Sequence, residues 1–146
     1  MKTVARNFLA VVLGVFVGGV VNMGLVLTGS HLIPPPPGVD MGDAKSLAAG
    51  VNLLAPKHFL FPFLAHALGT LAGALSAHMM AATHRVGLAY TIGGVFLAGG
   101  IAASCMVPAP GWFIALDLAV AYLPMAKLGA LLGKGMMNRS KAKRVD

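Results

Sequence analysis

Three polar residues stand inside long apolar stretches, where a side chain that ionises or hydrogen-bonds is costly and commonly marks function. Asp117 lies five residues beyond Trp112, His66 seven beyond Phe59, and Asn22 six before Thr28. If each stretch is a helix rising about 1.5 Å per residue, the three lie at similar depth from one end of a bundle. Asp with His forms a pair suited to holding a proton or an ion, because His changes charge near neutral pH. The same residues also suit a hydrogen-bonded cluster that fixes helix register.

Other chemistry is sparsely supported. His31, His58, Asp40 and Asp43 share one loop, but no tight ligand spacing points to a metal. Cys105 follows Ser104 without an activating partner, and a lone cysteine gives no disulfide framework. The chain has no P-loop, H-E-x-x-H, G-x-S-x-G or C-x-x-C. The expectation is a protein with no catalytic set, no cofactor and no metal.

The composition says which elements must position Asp117, His66 and Asn22. Of 146 residues, 58% are hydrophobic and 10% charged, against about 25% charged in soluble domains. Mean hydropathy is +0.83. No charge occurs between Arg6 and Asp40, between Lys57 and Arg85, or between Arg85 and Asp117. A helix crosses the hydrocarbon core with roughly 20 apolar residues. The gaps predict spans over 8–28, 59–82 and 86–107, and a fourth over 112–132 that carries Asp117 and Lys127. Barrel strands would alternate apolar and polar residues, which these do not. The first apolar run exceeds the roughly 7–15 residues of a signal-peptide core and lacks a clear cleavage site, so it is expected to be a retained helix.

The fold class expected is all-α: a four-helix transmembrane bundle, up-down-up-down, with a short amphipathic helix in the first outer loop. Lys2, Arg6, Arg85, Lys134, Arg139, Lys141, Lys143 and Arg144 fall on one side of that arrangement, and Lys45 and Lys57 on the other. Basic residues concentrate on the cytoplasmic side, so both termini are placed there, in a bacterial inner membrane. The basic tail 134–146 is explained by topology and attraction to anionic lipid. Nucleic acid is disfavoured, because the charges do not lie among aromatics on a soluble surface. Trp112 and Tyr90 fit aromatic anchors, Lys127 is expected to snorkel inward, and His78 to sit at the inner interface.

In the outer loop, 29–58, Pro34 to Pro37 and Gly38 form a stiff turn. Asp43 is a candidate N-cap for a helix over 44–54 whose Leu47, Val51 and Leu54 form an apolar stripe, laid on the membrane face. Small residues recur in the spans: Gly14/Gly18, Gly69/Gly73 and Gly129/Gly133, with Ala65, Gly69, Gly73 and Ala77 as one stripe. Such faces let helices approach closely, within one chain or against a second copy or a membrane-protein partner. Gly-Val-Phe recurs in spans one and three and Leu-Gly-x-Leu-x-Gly in two and four, as in a two-plus-two repeat or by coincidence of composition.

Ile33 to Asp40, Pro56 to Phe59 with Ala65 to Thr70, and Pro108 to Phe113 with Leu123 to Ala126 together resemble a family of small uncharacterised bacterial membrane proteins with four predicted helices. The resemblance covers nearly the whole chain. It implies fold and location, and no activity. The function expected is a non-enzymatic membrane protein that assembles through its small-residue faces. The alternative is an oligomeric transporter or ion-conducting unit built on the layer of Asn22, His66 and Asp117.

Overall fold

The computed structural model describes residues 2–143. Among them the chain is helical, with no strand. Helix α1 (Lys2–Leu32) is followed by α2 (Ala44–Gly50), two single 3-10 turns (Val51–Leu53 and Pro56–Phe59), α3 (Leu60–Met80), α4 (Arg85–Met106), α5 (Gly111–Val120) and α6 (Leu123–Ala142). Four stretches are long and apolar enough to cross a membrane: Lys2–Leu32, Pro56–Met80, Arg85–Met106 and Gly111–Ser140.

Local chemistry sets these boundaries. α1 has no proline and continues past Thr28 to Leu32, stopping where Pro34 denies Ile33 a helical conformation. Asp43 caps α2, its carboxylate accepting from the amides of Lys45 (3.3 Å) and Ser46 (3.1 Å). α2 is shorter than the stripe through Leu54 suggests: after Gly50 the chain tightens into a 3-10 turn and then extends at Leu54. Its apolar side is turned to the protein, with Leu47 buried. α3 and α4 are joined at His84, whose positive φ of 52° reverses the chain. Pro108 ends α4 as Pro34 ends α1.

The fourth stretch is not one continuous helix. It breaks at Ala121–Tyr122, between α5 and α6. Pro124 causes this: it has no N–H for the carbonyl of Val120 and its ring collides with that carbonyl. The Asp117 carbonyl still accepts from Ala121, and the Tyr122 carbonyl restarts the ladder by accepting from Ala126. α6 then runs helically to Ala142, so the expected tail is helical over most of its length; Arg144 and Asp146 lie outside the described residues.

α3 is the central helix and packs against α1, α4 and α6. The core is built of small side chains. Ala74, Ala77, Ala89, Ala126 and Ala130 surround Ile92, with Val11, Val15 and Phe96 packed on them. α1 meets α3 backbone to backbone, with Gly14 opposite Gly73 and Gly18 opposite Gly69. A β-carbon at Gly14 would sit 2.8 Å from the Gly73 carbonyl oxygen, and one at Gly18 2.7 Å from that of Gly69. Such proximity gains dispersion that bulkier residues would forfeit. Ala65 and Ala77 are fully buried on the same helix. Gly129 packs on Leu71 and Ala74, and Gly133 on the ring of His78. The small-residue pairs are thus occupied within one chain. Large apolar side chains point outward instead, including Phe8, Phe16, Met23 and Leu27 on α1.

Candidate functional site

α5 brings Asp117 against His66 of α3. His66 Nδ1 lies 2.9 Å from each carboxylate oxygen. The break after Ala121 swings Tyr122 back, and its hydroxyl donates to Asp117 Oδ2 at 2.8 Å. The tyrosine ring stacks on the imidazole with centroids 5.8 Å apart. It fits because Gly100 of α4 has no side chain: a β-carbon there would overlap the phenol. One turn along α3, the Thr70 hydroxyl donates to the His66 carbonyl at 2.7 Å.

Burial makes this cluster consequential. Asp117 is 4% exposed and Tyr122 1%, whereas the His66 side chain keeps 27%. A buried carboxylate costs several kcal/mol unless donors hold it. Here two do, one able to carry a charge. Because the carboxylate accepts, Nδ1 bears the hydrogen, which leaves Nε2 as the acceptor of the neutral ring. Protonation at Nε2 would convert the hydrogen bond into an ion pair. A carboxylate accepts about four hydrogen bonds, so capacity remains for a further donor.

Asp117 and His66 both line a cavity of about 710 Å³. It is also lined by Phe61, Ala103 and Phe113, and by Val39 and Leu47 of the connecting segment. Asp40 contributes a second carboxylate to the lining. The volume suits a small molecule, and the mixture of apolar walls with a few converging polar groups is that of a ligand site.

Asn22 does not join the cluster. Its backbone and β-carbon pack against Gly69, deeper than His66 by most of a turn, and among the described residues it makes no hydrogen bond to His66 or Asp117. The reason is the length of α1: with the helix ending at Leu32, Asn22 is ten residues from its end. Ser104 borders the same cavity, but its hydroxyl donates to the Ile101 carbonyl at 2.7 Å and no hydroxyl bonds His66 Nε2 among the described residues. Among those residues, no three of His, Cys, Asp and Glu gather as metal ligands. His58 turns its Nδ1 to the Ala55 carbonyl at 3.1 Å.

A second polar cluster, absent from the sequence reading, closes the other end of α3. Asn7 accepts from the amides of Ala82 (2.9 Å) and Thr83 (3.2 Å) and donates to the Thr83 hydroxyl (2.9 Å). Arg6 Nε donates to the Met80 carbonyl at 2.9 Å, and Arg85 Nη1 to those of His78 and Met79, each at 3.3 Å. The final carbonyls of a helix have no partner of their own, and these side chains supply them. His78, expected at the interface, is 3% exposed, because Gly133 leaves room for its ring. Lys127 is exposed, and Trp112 packs edge-on against Phe59 at 5.7 Å.

In comparison with known proteins, no family model matches the sequence, and no curated protein and no solved structure matches it.

Proposed function

We propose that the chain is a non-enzymatic, multi-pass protein of a bacterial inner membrane, of the resembling family, and that it handles protons and a small solute at the Asp117–His66 cavity. Four membrane-length apolar stretches support the location, as do outward-facing side chains such as Phe8 and Phe16, which water would solvate poorly. The helices run up-down-up-down with both ends in the cytoplasm, supported by the eight-to-two distribution of basic residues. A reporter active only in the periplasm, fused after Asp146, should stay dark, and one inserted at Gly42 should be active.

The observation that carries the functional reading is a carboxylate 4% exposed, bound by an ionisable imidazole, in the lining of a cavity. Such pairs inside membrane helices take up and release protons. The reading of an assembly protein is less well supported, because the faces it would use are filled by contacts within the chain. Proteoliposomes enclosing a pH-sensitive dye test the proposal. Under an imposed potential the wild type should acidify the lumen and Asp117→Asn should not. Equal rates in both, with both proteins folded, would refute it.

A further inference from the structure

At the opposite end of the bundle, where α3 turns into α4, lies a second cavity of about 470 Å³. It is bordered by His78, Thr83, His84, Arg85, Lys134 and Asn138. Three features point to one kind of ligand. Arg85 and Lys134 carry positive charge with no described carboxylate among the lining residues; the described carboxylates, Asp40, Asp43 and Asp117, belong to the other end. The cavity also meets the start of α4, at Val86 and Gly87, where no side chain caps the first amides. Uncapped amides at a helix start attract anions. The third feature is independent of charge. His78 is 3% exposed, borders the cavity, and its buried Nδ1 has no hydrogen-bond partner. Buried polar atoms are seldom left unpaired, so an orphan beside a cavity calls for a group from outside.

We infer that this cavity binds a phosphate group, held by Arg85, Lys134 and the imidazoles of His78 and His84. A phosphate supplies the acceptor oxygens and the charge that these donors lack. Arg85 has donors to spare: Nη1 serves the carbonyls of α3 and the Met137 sulfur (2.8 Å), while Nε and Nη2 bond no described atom. The favoured source is an anionic phospholipid headgroup, which rests on the membrane reading above; free phosphate is the alternative source of the same chemistry.

The test uses the full chain in detergent and in nanodiscs. Native mass spectrometry should show phosphatidylglycerol retained over phosphatidylcholine. Lys134→Gln and His84→Gln should each weaken that preference, Lys134→Gln about five-fold, as expected for one basic group near an anionic surface. Lys143→Gln, in the same basic segment but outside the cavity, should leave it unchanged. A separate arm measures thermal unfolding in detergent with inorganic phosphate. A stabilisation that Lys134→Gln removes, with no lipid preference, assigns the site to free phosphate, and it reads out even if the chain fails to enter nanodiscs. Equal retention of both lipids together with no phosphate effect would overturn the inference, as would an equal loss in Lys143→Gln. Unfolding midpoints measured in phosphatidylcholine establish that each variant is folded.

Discussion

Tyr122 donates its hydroxyl to Asp117 five residues earlier in the chain, across a break in the helix that carries both. In an unbroken helix, five residues turn the chain by about 500°, leaving two side chains roughly 140° apart around the axis. The break at Ala121–Tyr122 therefore makes the contact, and Pro124 makes the break. The proline and the carboxylate belong to one device, which aims a second donor at Asp117.

Removing the carboxylate should strand both donors. Asp117→Ala is expected to lower the unfolding free energy in detergent by about 1–3 kcal/mol for the buried Tyr122 hydroxyl left unpaired, and by less for the partly exposed His66. Asp117→Asn should cost less, since the amide oxygen still accepts. Thermal unfolding of the two variants side by side checks the order; equal midpoints would contradict it.

Tyr122→Phe isolates the second donor. The ring and its stacking on His66 remain, and one hydrogen bond to a charged group disappears, worth about 1.5–3 kcal/mol. Gly100→Ala should perturb the same contact from the other side, because its new β-carbon meets the phenol. Both variants should lower the unfolding midpoint in detergent if they act through Asp117.

These relationships bear on what the sequence discloses. The charge gaps locate the four apolar stretches, because a charge in lipid is costly wherever it falls. Asp117 and His66 are found by counting from Trp112 and Phe59, since both α5 and α3 begin within a residue of those positions. Asn22 is misplaced by the same method, because nothing in the α1 sequence marks Thr28 or Leu32 as its end until Pro34 is weighed. Tyr122 is not visible at all on an assumed straight helix. Asn7 escapes notice because its partners are amides of a turn 75 and 76 residues away, and such contacts carry no residue code.

The glycine contacts between α1 and α3 should tolerate no side chain. Gly18→Val and Gly69→Val place carbons under 3 Å from the opposing backbone, so the helices must separate along their length. Overpacking of this kind costs about 1–3 kcal/mol or more. Gly19→Ala, with open space around it, should be neutral or slightly stabilising, as alanine favours helix. Detergent unfolding of the three variants distinguishes position from composition.

Asn7→Leu should release the turn between α3 and α4. Two backbone amides lose their acceptor, at about 1 kcal/mol each. The expected sign is faster hydrogen exchange at Ala82 and Thr83 with the amides of α5 unaffected.

The register between α1 and α3 also fixes a length. Asn7 is tied to Thr83 and Gly29 lies on Phe61, so α1 from Asn7 to Gly29 runs beside α3 for about 33 Å. A hydrocarbon core is about 30 Å thick. The glycine-to-glycine contacts hold the two helices in this register, so the paired length is set by the packing. If the chain spans a bilayer as proposed, the pair acts as a gauge, with thinner or thicker lipid straining the membrane rather than the protein.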